Sequence, residues 1–162
     1  MATGLTIDQK NVLDVCARIE DTAAQTYHDL AEAHRNIPRL AALWTKTASE
    51  EENHARQFRL SPQLLDAMID DIRIDGDRAR LALEEMEILA GLVASDPPGP
   101  IDALRMAIHA EEQFAEFHMS TAAVFKDGSH KRLFQAMMAA DRGHVDELSK
   151  ELSRLTGEVI PL

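Results

Sequence analysis

Acidic residues and histidines recur in this chain of 162 residues as two copies of one pattern. Each copy has one glutamate and, about thirty residues later, an acid-x-x-His pair. Residues three apart share a helix face, so each pair could hold one metal ion from a single helix. The six candidate metal ligands are Glu20, Glu51 and His54 in the first half of the chain, and Glu111, Asp141 and His144 in the second.

The charges of these six side chains indicate two metal ions. A carboxylate buried without compensation costs several kcal/mol, and no Lys or Arg lies at the same depth of the inward-facing stripes. Two divalent cations would neutralise four carboxylates. Carboxylate oxygens with imidazole nitrogens suit iron or manganese better than a structural zinc site, although the residues leave iron, manganese and zinc open.

Four long helices would carry these side chains, each with an apolar stripe at spacings of three and four. Each candidate acid lies roughly ten to thirteen residues from its helix start, which at about 1.5 Å rise per residue places all four at one height. The helices form two hairpins, over residues 6–60 and 101–156. Within the second hairpin, the third helix is expected over residues 101–125 and the fourth over residues 130–155.

A long connection, residues 61–99, separates the two hairpins. It is expected to contain a short amphipathic piece over residues 63–72 and a longer helix over residues 77–94. Its apolar positions exceed what a solvated loop needs, which favours packing on the bundle or on the partner subunit of a homodimer. We expect a single all-α domain over residues 1–162.

The amino-acid composition and net charge exclude several kinds of partner and binding site. Apolar residues make up 45% of the chain and aromatic residues 4%, which favours helices over sheets. The net charge of -11 argues against nucleic acid or an anionic membrane as a partner. Cys16 is the only cysteine, which excludes an intrachain disulfide and a four-cysteine metal site. With no leader or membrane span recognisable, we expect a cytoplasmic protein.

Two other histidines could be confused with ligands. Asp127 and His130 also form an acid-x-x-His pair, but they flank a glycine-containing turn without an apolar stripe, so we interpret them as turn and helix-start residues. His118 lies on the stripe of the third helix. Two readings stay open for it, a hydrogen bond to a ligand carboxylate or a position facing water like His28, His34 and His109.

Combined motifs of the chain resemble the rubrerythrin branch of the ferritin-like superfamily. Residues Ala17–Tyr27 and Ala107–His118 resemble the first and third helices of that family, and Glu51–Ala55 and Asp141–His144 resemble its second and fourth. The resemblance covers nearly all the chain except residues 61–99. It implies a ferritin-like four-helix bundle with a long, partly helical connection between helices 2 and 3.

The resemblance also implies a role for each candidate ligand. Glu20 and Glu111 correspond to terminal ligands, Glu51 and Asp141 to bridging carboxylates, and His54 and His144 to one imidazole per metal. Tyr27 matches a tyrosine that lies behind the ligands in the family. The chain departs from the family in having Asp141 in place of a bridging Glu, Phe114 where a further Glu is common, and no rubredoxin-like cysteine domain.

The expected cofactor is therefore a pair of iron ions, with manganese or zinc possible. The resemblance implies an oxidoreductase of the peroxidase or ferroxidase type, which reduces peroxide or dioxygen or oxidises Fe(II), together with an electron donor that the sequence does not identify. Two alternatives remain from the residues alone. One is a non-catalytic metal-binding or iron-handling module, and the other is a structural helical protein that binds a partner through residues 61–99.

Overall fold

A capping box starts the first helix. The side-chain oxygen of Thr6 accepts a hydrogen bond from the Gln9 backbone at 3.2 Å, and the Gln9 side chain accepts one from the Thr6 backbone at 2.8 Å.

The computed structural model describes residues 4–137 and 143–158, without the side chains of residues 120 and 133–137. Its main helices are α1 (Ile7–Ala33), α2 (Pro38–Phe58), α3 (Pro62–Met68), α4 (Gly76–Ser95), α5 (Pro100–Phe114), α6 (Met119–Ala122), α7 (Gly128–Met137) and α8 (His144–Thr156).

The fold is mostly helical, and the first hairpin has the bounds that the sequence predicts. Helix α2 begins at Pro38, where the missing N–H of proline costs no hydrogen bond. Helices α1 and α2 pack along each other, and α5 packs against α8. Each half of the chain thus contains a pair of long helices that pack on each other.

Helix α4 confirms the longer helix predicted in the connection. The Asp75 side chain accepts hydrogen bonds from the backbone of Asp77 and Arg78 at 2.9 and 3.1 Å, which caps its first turn. The helix packs on α1 through one buried face. The residues of this face are Ala79, Ala82, Leu83, Met86 and Val93.

A two-stranded sheet contradicts two of the helix boundaries that the sequence predicts. Strand β1 (Ile69–Ile72) pairs antiparallel with β2 (Ala123–Phe125), with Ile69 opposite Phe125. The amphipathic piece therefore ends as a strand. The third helix, predicted over residues 101–125, ends at Phe114 and continues as a 3-10 turn, the short α6 and β2. Pairing between distant segments outweighs the local helical pattern here.

The fourth predicted helix is also not continuous. Helix α8 begins at His144, and Gly143 before it has a φ of 109°, in the left-handed region that favours glycine. Helix α8 ends as predicted before Gly157, which has a φ of 71°. The expectation of one helix over residues 130–155 is therefore wrong.

Two apolar clusters fill the interior. One contains Leu13, Cys16, Phe58 and Leu83, and the other contains Tyr27, Trp44, Leu104 and Leu148. Along α1, Glu20 lies between Cys16 in the first cluster and Tyr27 in the second, so a polar layer separates the clusters. Across the described residues, no helix combines the length and hydropathy that a bilayer span requires.

Candidate metal centre

The polar layer between the apolar clusters consists of glutamates and histidines from α1, α2, α5 and α8. Five of the six predicted ligands meet there, and each is almost fully removed from solvent. Their exposed fractions are 3% for Glu20, 1% for Glu51, 3% for His54, 8% for Glu111 and 7% for His144. The sixth, Asp141, lies outside the residues that the structure describes.

Glu51 lies at the middle of this layer and is shared between two sets of donors. Its Oε2 atom is 3.0 Å from His54 Nδ1, and its Oε1 atom is 3.0 Å from His144 Nδ1. One set of atoms comes from Glu20, Glu51, His54 and His118, the other from Glu51, Glu111 and His144. Within each set the atoms lie within 4.8 Å of one another. Two metal positions joined by one carboxylate match this arrangement.

Two further distances are better explained by ions than by hydrogen bonds. His54 Nδ1 is 3.6 Å from Glu20 Oε2, and His144 Nδ1 is 3.6 Å from Glu111 Oε2. A hydrogen bond at this distance is weak at best, because its usual range ends near about 3.2 Å. Two ligands on one ion, each at about 2.1 Å, lie roughly 3–4 Å apart. The spacing therefore suits a cation between each pair.

Unsatisfied oxygen atoms give an independent test of whether a metal fits. Glu20 Oε1 and Glu51 Oε1 are fully buried and accept no well-directed hydrogen bond within the described part of the chain. Leaving such atoms without a partner costs about 1–3 kcal/mol each, and more for charged groups. Divalent cations would satisfy both oxygens, so the residues present fit a metal centre.

Without metal, the two histidines form ion pairs with the glutamates around them. Burial would lower the pKa of His54, but the Glu20 and Glu51 carboxylates raise that pKa to about 11. Burial likewise opposes charge on His144, whose pKa Glu111 and Glu51 raise to about 10. Metal binding at neutral pH must therefore displace a proton from each imidazole.

The pKa values of the two central carboxyl groups, Glu20 and Glu51, are shifted in opposite directions. Burial, reinforced by repulsion from Glu51, raises the pKa of Glu20 well above its ordinary value. Burial also opposes ionisation of Glu51, but contacts with His144, His54 and Glu20 lower its pKa well below its ordinary value. Glu51 is thus the anionic centre of the layer.

Glu50 is a site residue that the sequence analysis missed. Its Oε2 atom is 2.5 Å from His144 Nε2, on the side of the imidazole that faces away from Glu51. Lys46 lies 3.1 Å from the other Glu50 oxygen. The two atoms form no well-directed hydrogen bond in this structure, but a carboxylate behind a metal-binding histidine orients the ring and leaves its other nitrogen for the metal. The signal in the sequence is the Glu50–Glu52 run, of which only Glu51 lies on the predicted inward stripe.

Tyr27 supports the other side of the layer. Its buried hydroxyl donates a hydrogen bond to Glu111 Oε1, and its ring stacks on Trp44 with 5.7 Å between the ring centres. Burial and the Glu111 charge raise the pKa of Tyr27 well above its ordinary value, so the phenol keeps its proton.

The indole N–H of Trp44 donates a hydrogen bond to His34 Nδ1 at 3.0 Å. His34 is buried, so the expectation that it faces water is wrong.

His118 stands at the edge of the same layer, near Glu20 and His54. Its ring centre is 4.9 Å from that of His54, and its Nε2 atom is 3.8 Å from Glu20 Oε1, too far for the proposed hydrogen bond. Burial lowers the pKa of His118 below its ordinary value, whereas neighbouring carboxylates raise the pKa of His54 and His144. The third acid-x-x-His pair, Asp127 and His130, is not part of this layer. Asp127 accepts hydrogen bonds from the backbone of Ser129 and His130, which confirms its interpretation as a turn residue.

A small cavity adjoins the three carboxylates on the side of α4. About 10 Å³ of it is open to the centre of a water molecule, which is room for one such molecule. Glu20, Glu51 and Glu111 line it, together with Tyr27 and His118. Its apolar wall consists of Ile19, Ala23, Met86, Ala110 and Phe114. The centre therefore borders a space that only a very small molecule could enter.

No protein-family model, no curated protein and no solved structure that we compared with the chain matches it. The assignment of function therefore depends on the geometry of this layer and on the resemblance of its motifs.

Proposed function

We propose that the chain holds two metal ions, with iron as the expected metal, and acts as a ferritin-like oxidoreductase of the rubrerythrin type. The observation that carries the proposal is the position of Glu51, whose two oxygens each face a separate buried set of donors. A single structural ion would not need both sets. Manganese or zinc would use the same donors.

The protein residues have separable tasks in this proposal. Glu20, Glu51 and His54 would hold one ion, and Glu51, Glu111 and His144 the other, with Asp141 as a predicted further ligand. A pair of iron ions would supply Lewis acidity and electrons. Tyr27 holds Glu111 in place through its hydroxyl, and the Glu50 carboxylate lies against His144 Nε2 as its ionic partner.

The cavity supports a substrate of only a few atoms. Its volume is on the scale of one water molecule, and half of its lining is apolar. Peroxide and dioxygen are of this size, whereas an organic substrate is not. We therefore propose peroxide or dioxygen as the oxidant, with Fe(II) oxidation as the coupled half-reaction.

Anaerobic loading with Fe(II) followed by peroxide tests this function. We expect two Fe(II) per chain to be oxidised, with peroxide consumed in proportion, at a rate well above that of free Fe(II). Glu51→Gln should abolish the acceleration, and the neighbouring Glu52→Gln should retain it. Oxidation no faster than in buffer would contradict an enzymatic role.

The non-catalytic alternative predicts a different metal content. A metal-binding or iron-handling module would retain its ions but would not accelerate peroxide reduction. One redox-inert ion per chain in the purified protein would favour that reading. A third reading treats the layer as an internal network of glutamate–histidine ion pairs. It predicts that iron, manganese and zinc leave the thermal unfolding unchanged.

The predicted homodimer stays a prediction. Helix α4 exposes Leu81, Ile88 and Leu92 on the face opposite to α1, with 57%, 67% and 61% of each residue accessible. Light scattering would test it, since a monomer at high concentration would contradict the prediction.

A further inference from the structure

His118 is close to the candidate centre but is not among the six residues of the duplicated pattern. Its Nε2 atom lies 3.8 Å from Glu20 Oε1, and its ring lies beside that of His54. Helix α5 has already ended at Phe114, and His118 follows a 3-10 turn in an extended conformation with a ψ of 144°. Turns of the 3-10 type are frequent where an α-helix ends, and this one places His118 outside the helix.

We propose that His118 is a third imidazole ligand, on the ion that Glu20, Glu51 and His54 hold. This inference rests on the proposed metal centre. Donor atoms of the four residues lie within 4.8 Å of one another, close to the roughly 4.2 Å that separates opposite ligands on one ion. The buried oxygen Glu20 Oε1 is the Glu20 atom nearest His118, and it accepts no hydrogen bond from the described residues.

This ligand would make the two metal positions unequal. The position beside His118 would have two imidazoles and two carboxylates. The other would have one imidazole, from His144, with Glu51 and Glu111. Nitrogen donors favour Cu²⁺, Ni²⁺ and Zn²⁺ over Mn²⁺, so the position beside His118 should fill first when the metal-free protein is titrated with Cu²⁺.

Electron paramagnetic resonance of the protein with one equivalent of Cu²⁺ tests the proposal directly, because nitrogen couplings count the bound imidazoles. We expect two nitrogens in the wild type and one in His118→Gln. The affinity for the first ion should fall at least about tenfold in the variant. The affinity for the second ion should be unchanged.

His109→Gln is the matched control, because His109 is exposed on α5 and should leave the titration unchanged. Circular dichroism and thermal unfolding of the metal-free variants check that each is folded. The wild-type nitrogen count needs no variant at all. One nitrogen in the wild type, or two in His118→Gln, would overturn the proposal while the proposed function stands. A wild type that binds no metal would overturn both.

Discussion

Replacing Glu51 by Gln should remove the stabilisation that metal ions give to the fold. Glu51 is 1% exposed and is the only residue common to both sets of donors. Glutamine keeps the size of the side chain but removes its charge and turns one of the two oxygens into an N–H donor. Both positions lose their shared carboxylate, so one substitution should weaken the binding of both ions.

The size of the lost effect follows from linkage. An ion at a free concentration of one hundred times its dissociation constant stabilises the folded state by about 2.7 kcal/mol, so two ions contribute about 5.4 kcal/mol. For 162 residues the entropy of unfolding is about 0.34 kcal/mol per degree. We therefore expect metal to raise the Tm of the wild type by about 16 °C and that of Glu51→Gln by less than about 3 °C.

Differential scanning calorimetry with and without Fe(II) under anaerobic conditions, or with Mn²⁺ in air, measures both shifts. Because the substitution also breaks ion pairs in the metal-free protein, the quantity compared is the metal-induced shift in each variant. Glu52→Gln is the control, since Glu52 neighbours Glu51 but has a side chain 42% exposed and bonded to His28. A metal-induced shift in Glu51→Gln equal to that of the control would refute the shared-carboxylate reasoning.

Three further expectations can be measured separately. Tyr27→Phe should lower metal affinity by about 10–100-fold in a chelator competition, because Glu111 loses the donor that holds it. Metal binding at pH 7 should release at least two protons, since the pKa values of His54 and His144 are raised to about 11 and 10 without metal. Calorimetry in buffers of different ionisation enthalpy counts the released protons. For the same reason the metal affinity should rise with pH. Asp75→Ala should cost about 1 kcal/mol in urea unfolding and leave metal affinity unchanged, because it removes only the cap of α4.

The first hairpin and the buried positions of its two glutamates were predictable because their signals are local. A capping residue at Thr6 and a proline at Pro38 fix where α1 and α2 begin. A stripe at helical spacing then fixes the depth of Glu20 and Glu51. For the same reason the buried position of Glu111 was predictable, since it lies in the regular part of α5.

The errors arise where distant segments decide the local structure. Residues 123–125 leave the helical pattern because they pair with a strand more than fifty positions earlier, which no local periodicity reveals. Glu50 lies off the apolar stripe of α2, and its contact with His144 comes from the distant helix α8. For His118 the sequence left two readings open, and the distance of its Nε2 atom from Glu20 depends on where α5 ends.

Anomalous diffraction at the iron edge from crystals grown with Fe(II) tests the central claim most directly. We expect two peaks inside the chain, both within bonding distance of Glu51, one also contacting Glu20 and His54 and the other Glu111 and His144. A buried layer without an anomalous peak, or with Glu20 and Glu111 turned away from each other, would contradict the account.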